Sequence, residues 1–181
     1  MFKSEPVTKG INAYSDSDWA GCIDTRHSTT GIIIMANDSP IGWKSKRQSI
    51  VALSSAEAEY IAISTTAREL CWYRRLAWEV LNQRPIRNDS RLPTVPFHVD
   101  NTAAISIALH RGFTARTKHI DTKYHFIRDC VQRGYITLHH IRSEYQLADP
   151  FTKPTDRNTF TTLTMLFMSY NSYDDQTSER N

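Results

Sequence analysis

The chain predicts an α/β domain in which a mixed sheet carries helices on its faces. Three observations lead there. Three short strand-like stretches separated by turn residues open the chain, a long stretch free of Gly and Pro follows, and strand and helix patterns then alternate to the end. The implied order is β-β-β-α-β-α-α-β-α, with the first three strands as an antiparallel meander.

Each element has a local reason. INAYSDS, from Ile11 to Ser17, mixes apolar and polar residues and exits on polar ones, as a strand does. TGIIIMA, from Thr30 to Ala36, is short and β-branched, the mark of a buried strand. NDSP marks a turn, and IGWKSKRQ, from Ile41 to Gln48, alternates as a third strand. Between Ser54 and Leu81 there is neither Gly nor Pro, and Ser54 with Glu57 fits an S-x-x-E capping box, so a long helix starts there. A polar, proline-bearing loop leads to a strand over Val95 to Asp100. Asn101 to His110 and Ile120 to Arg133 read as helices, the second stopped at Gly134, and Tyr135 to Ile141 as the fifth strand. A last helix is expected to begin near Asp149, with Asp149 as its N-cap and Pro150 at its first position. The division is then an N-terminal extension over 1–10, a domain over 11–168 and a polar tail over 169–181.

Composition narrows the function classes. With 181 residues, 40% hydrophobic and 23% charged, the chain has ordinary globular character and length for one core. No apolar run approaches a membrane span, and MFKSEPVTKG has no signal-peptide core, so an intracellular, cytoplasmic protein is expected. Cys22, Cys71 and Cys130 are widely spaced with no CxxC, which speaks against a zinc site or a disulfide framework and for idle or buried thiols. The net charge of +3 permits a nucleic-acid partner, and it is concentrated in WKSKRQ and RGFTARTKH.

Chemistry is expected from the acids. Asp16 and Asp18 stand two apart in AYSDSDWAG, so on a strand both face one side. Asp16 lies near the C-terminal end of the first strand and Asp100 closes the fourth, and in α/β sheets such ends gather functional groups. Of Glu57 and Glu59, only one can face the sheet. The Glu59 stripe runs through Ala62, Ile63, Thr66, Leu70, Tyr73, Ala77 and Leu81 without another charge, whereas the Glu57 stripe holds Arg68, Arg75 and Glu79. Glu59 therefore faces inward and Glu57 outward. Asp149 follows as a fourth acid, although taken alone such an Asp is more often only a cap. Four converging carboxylates repel unless a cation neutralises them, and oxygen ligands alone favour Mg²⁺ or Mn²⁺.

Five blocks in order, YSDSDWAG, GWKSKRQSIVALSSAEAEYIA, FHVDNTAAI, TKHIDTKYHFIRD and QLADPFTKP, resemble the ribonuclease H domain of Copia-type LTR-retrotransposon polyproteins. The resemblance spans about residues 11–168. It implies a ribonuclease H-like fold with a five-stranded mixed sheet, and cleavage of the RNA strand of RNA–DNA hybrids with two Mg²⁺ ions, Mn²⁺ substituting. It places the family's catalytic, metal-holding acids on Asp16, Glu59, Asp100 and Asp149, and leaves Asp18 as an accessory or turn-forming acid. Cellular ribonucleases H carry a loop histidine just before the last acid. Here that segment is IRSEYQLAD, where Glu144 is the titratable carboxylate, and His119 in the basic segment is a second accessory candidate. Expected phosphate contacts are Lys44, Lys46, Arg47, Arg116 and Lys118. Trp19 and Trp43 are read as core-packing residues before sugar-stacking ones.

The resemblance implies an RNA–DNA hybrid and a reverse transcriptase module of the parent polyprotein as partners, no membrane, and a virus-like particle or the nucleus as settings besides the cytoplasm. With Met1 so close to the first strand, an excised domain or a truncated element fragment is expected. The alternatives are a catalytically poor relic that only binds nucleic acid, a structural module that tethers the polymerase, and an integrase-like DNA nuclease of the same fold.

Overall fold

The computed structural model describes residues 10–83, 85–86, 92–109 and 126–168. A five-stranded sheet is ordered β3-β2-β1-β4-β5. β1 (Ile11–Asp18), β2 (Thr29–Ala36) and β3 (Ser39–Arg47) form the antiparallel meander, while β4 (Val95–Val99) and β5 (Ile136–His140) continue parallel to β1. The α/β expectation with three antiparallel strands first is thus the observed architecture. Among the described residues no helix is long and apolar enough to cross a membrane.

Burial explains the sequence of β2. Ile32 and Ile34 enter one core while Ile33 and Met35 enter another on the opposite face. A strand buried on both faces needs a continuous apolar run, not alternation. β3 lies at the sheet edge, and its KSKR end is exposed, which keeps a polar edge toward water.

α1 (Ser55–Asn82) packs on the first face with α2 (Thr102–Leu109) and a helix α3 over 126–132. Its start follows the capping pattern. Ser54 Oγ accepts from Glu57 N at 3.1 Å, and Glu57 Oε2 accepts from Leu53 N at 2.7 Å, one residue earlier than a standard box. Ala58, Ala62, Ile63, Thr66, Ala67 and Leu70 are buried beneath it. Arg74 is buried too. Its guanidinium donates to the Leu92 and Pro93 carbonyls and stacks over Tyr135, tying α1 to the entry of β4. Of the predicted helix over 120–133, the part before residue 126 lies outside the described residues.

The last helix departs from expectation. Asp149–Phe151 forms a separate 3-10 turn, with Ala148 rather than Asp149 at its N-cap, and α4 begins only at Arg157 and ends at Met168. Pro154 explains the break, because a proline lacks the N–H a helix needs and disfavours helical geometry in the residue before it. The cap of α4 is Asp156, whose Oδ1 accepts from Asn158 N and Thr159 N at 3.0 and 3.1 Å. α4 supplies Leu163 and Phe167 to the second core, beside Leu147 and Ala148.

Gly31 lets the Asp149 turn touch the sheet. A Cβ at this position would stand 2.5 Å from the Ala148 carbonyl oxygen and 2.7 Å from Thr152 Cγ2. Gly31 is also the register partner of Asp16. The turn is therefore held against β2 at the level of the first acid. Gly31→Ala is expected to cost about 2 kcal/mol by overpacking and to push the 148–152 segment away from Asp16. Denaturant unfolding and divalent-ion titration of the same variant check both effects.

Candidate active site

Three carboxylates meet where the parallel strands β1 and β4 end. Asp16 comes from β1, Asp100 follows β4, and Glu59 descends from the first turns of α1. Each offers an oxygen within 4.8 Å of the other two. Asp16 and Glu59 are 4% and 5% exposed, values at which an uncompensated charge is costly. The stripe argument for Glu59 over Glu57 agrees with this geometry.

Donors around the group fix each acid. The Ser17 backbone N–H donates to Glu59 Oε1 at 3.0 Å, while Glu59 Oε2 is buried without a partner. Thr152 Oγ1 donates to Asp16 Oδ2 at 2.7 Å, and Ser143 Oγ to Asp100 Oδ2 at 2.8 Å. Gln48 braces the approach of α1 to β1. Its amide lies 2.9 Å from the Ala58 carbonyl, 3.0 Å from Thr30 Oγ1 and 3.3 Å from Ser17 Oγ.

Asp149 stands beside this trio rather than within it. Its carboxyl reaches Asp16 by a hydrogen bond, and its Oδ1 is 3.0 Å from Lys153 Nζ. Burial, then repulsion from Asp16 and Asp100, pushes Glu59 up to about 10. Burial and the bond to Asp16 raise Asp149 to about 6, against the pull of Lys153.

The group fits a hard divalent cation. The donors are all oxygen, one buried oxygen has no partner, and the excess negative charge lacks compensation within the trio. Two oxygens on one Mg²⁺ lie about 3 Å apart in cis and at most ~4.2 Å apart in trans, so the three carboxylates draw closer together when a cation binds.

The remaining candidates are placed as follows. Asp18 folds over the turn, where a Cβ on Gly21 would overlap its carboxylate, and it does not join the trio. Glu144 is exposed and pairs with Arg142 at 2.8 Å, whereas its neighbour Ser143 touches Asp100. Lys44 is held by Glu69 at 2.6 Å. Lys46 and Arg47 are exposed. Strand alternation sends Lys44 and Lys46, paired with Ile32 and Thr30, to the α1 side, and Arg47, paired with Thr29, to the other. Arg116, Lys118 and His119 lie outside the described residues.

The core-packing reading of the tryptophans is corrected: Trp19 is 48% and Trp43 66% exposed. Trp19 lies at the end of β1 with its indole N–H on the Ala52 carbonyl at 3.1 Å, and Trp43 sits on an edge strand. Residues that sequence reasoning missed are Gln48, Ser143, Thr152 and Lys153. The last two carried a signal, a hydroxyl and a cation three and four residues after an acid in QLADPFTKP.

No family model matches the chain. The sheet order and helix placement are those of the ribonuclease H fold. A ribonuclease H1 isolated from compost by a metagenomic approach superposes with a TM-score of 0.55 at 16% identity, covering 79% of this chain and 92% of that one. The ribonuclease H1 of Halobacterium salinarum gives a TM-score of 0.55 at 12% identity over 78% and 93%. Sequence carries the second step. The Pol polyprotein of transposon RE2 of Arabidopsis thaliana is 39% identical over 160 residues, 88% of this chain. That of transposon TNT 1-94 of Nicotiana tabacum is 38% identical over 158 residues, 87% of this chain. The Gag-Pol polyprotein of Ty1-ER2 of Saccharomyces cerevisiae is 32% identical over 165 residues. The chain thus has the ribonuclease H fold and is homologous to one segment of retrotransposon Pol polyproteins, spanning about a tenth of the length of these relatives.

Raised carboxyl groups have a stability consequence of definite sign. Between the ordinary Glu value and about 10, folded Glu59 holds a proton that the unfolded chain has released. Stability of the cation-free protein therefore falls as pH rises through that window. Thermal unfolding in EDTA is expected to show this decline, with Glu59→Gln melting higher than wild type above pH 6.

Proposed function

We propose that the domain hydrolyses the RNA strand of RNA–DNA hybrids with divalent cations held by Asp16, Glu59, Asp100 and Asp149. The convergence of buried Asp16 and Glu59 with Asp100 carries this reading. The compost ribonuclease H1 that shares the fold has itself been solved with an RNA/DNA hybrid.

Two ions, Mg²⁺ or substituting Mn²⁺, would supply activation of water and neutralisation of charge at the phosphate. The protein's own part is positioning. Ser17 N–H and the Gln48 brace set Glu59, the Thr152 hydroxyl turns Asp16, and Ser143 holds Asp100. Asp16 is common to the trio and to the contact with Asp149, and would help to hold either ion. Ser143 stands in the segment where cellular enzymes place a loop histidine, and its hydroxyl orients Asp100.

Hybrid recognition rests on phosphates and groove shape, not base identity. Lys46 and Arg47 end the edge strand at the level of Thr30 and Thr29, in line with Ser17 and Asp18 across the sheet. In this reading Lys46 and Arg47 contact phosphates of the hybrid, as do Arg116 and Lys118. Lys44 must first leave Glu69. The exposed indole of Trp19, fixed by Ala52, is available to stack on a sugar. In this reading the parent polyprotein's reverse transcriptase is the natural partner, and a virus-like particle in the cytoplasm the setting.

Labelled hybrid is expected to be cut with Mg²⁺ or Mn²⁺, and duplex DNA left intact. Asp16→Asn and Asp100→Asn should each lower the rate by roughly a thousandfold, the several kcal/mol that bound cations contribute, while Asp18→Asn changes it little. Binding without any cation-dependent product would sink the proposal in favour of a binding relic. Hybrid affinity should also fall more than about tenfold between about 50 and 200 mM salt.

A further inference from the structure

We propose that Lys153 is a built-in counter-cation that holds Asp149 and must be displaced when a divalent ion takes that carboxylate. The inference deepens the metal-dependent reading and rests on it. Its ground is a division among the four acids. Asp16, Glu59 and Asp100 crowd together with a buried oxygen left unpartnered, whereas Asp149 is outside that trio and already bonded to an ammonium 3.0 Å away.

The local chain builds this contact. Asp149 opens a 3-10 turn, Lys153 follows at i+4, and Pro154 prevents the turn from running on into a helix that would carry the lysine away. The contact between Gly31 and the Ala148 carbonyl presses the whole turn onto β2. The Asp149 side chain is only 15% exposed, but that of Lys153 is 48% exposed. The ammonium therefore caps the Asp149 end of the group from the solvent side and has open water into which to retreat. Its partial burial disfavours the charge, yet the bond to Asp149 and the fields of Asp149, Asp16 and Asp100 outweigh that. A lysine under the pull of three of the four acids does part of a cation's work before any cation arrives.

Displacement has to be easy for this to operate, and the geometry makes it so. The lysine end of the pair is half exposed, so water solvates the ammonium once it is released. Lys153 is accordingly a positioning residue: it keeps Asp149 turned toward the group, and it lowers the affinity of the weaker cation step. Three other exposed pairs, Lys44 with Glu69, Arg133 with Asp129 and Arg142 with Glu144, have no acid of the trio as partner. Arg133 follows α3 at the start of β5, the sheet end opposite the acids, and so serves as a charge-matched control.

The experiment is a calorimetric titration of the whole chain with Mn²⁺ at low ionic strength, with circular dichroism to confirm folding. Lys153→Met, or Lys153→Gln if the first variant folds poorly, should tighten the weaker Mn²⁺ step about fivefold, the equivalent of one half-exposed ion pair. Lys153→Arg should titrate within a factor of about two of wild type because it keeps the competing charge. Arg133→Met, with the same change in net charge, should leave both steps unaltered. A Lys153→Met titration superimposable on wild type, or an equal tightening in Arg133→Met, overturns the role of Lys153. Absence of Mn²⁺ binding in wild type, matched by Asp16→Asn, overturns the metal reading itself and this inference with it.

Discussion

Repulsion among carboxylates at the end of β1 is the constraint around which the rest of the structure is arranged. Asp16 and Glu59 are nearly excluded from water and share their neighbourhood with Asp100. Without a cation such a group is tolerated only through donors and retained protons. The fold supplies an amide at Ser17, a hydroxyl at Ser143, and a hydroxyl and an ammonium at Thr152 and Lys153, from three surrounding segments. One Glu59 oxygen is still left over. An arrangement this costly persists because two apolar cores hold the elements that carry it.

Those cores divide the work. The larger, between the sheet and α1, α2 and α3, fixes the height and rotation of α1, and so the position of Glu59. The smaller, formed by Ile33, Met35, Leu147, Ala148, Leu163 and Phe167, fixes the Asp149 turn on the other face. Asp16 belongs to the central strand between them. The site is thus assembled from both faces of the sheet, and a disturbance in either layer reaches it. Cys71 and Cys130 place their sulfurs 3.8 Å apart at the larger core.

The exposed surface follows a different logic. The edge strand β3 combines a polar, basic end with an outward tryptophan, which discourages edge pairing while leaving charge beside the acids. Relatives at 32% to 39% identity are long polyproteins of which this chain matches about a tenth. On α4 the apolar residues Phe160, Met165 and Met168 are exposed.

Much of the architecture was legible in the residues. Strand and helix positions follow from β-branched runs, alternation and the Ser54 cap, all local signals of fixed period. The uncharged stripe chose Glu59, and strand ends marked Asp16 and Asp100. The last helix was misread because Asp149–Pro150 looks like a helix start, while Pro154 acts a few residues later. Trp43 was misread because hydrophobicity does not say which strand lies at an edge, and Trp19 because it does not say what lies past a strand's end. Periodicity assigns a side chain to a face, but it cannot say which segment will cover that face. Residue types alone therefore determined the elements and the oxygen-rich chemistry. Only tertiary packing decided that three acids crowd together, that Asp149 lies beside them paired with Lys153, and that Thr152 and Ser143 hold their partners, since those contacts join segments more than forty residues apart in sequence or depend on where a turn is pressed against the sheet.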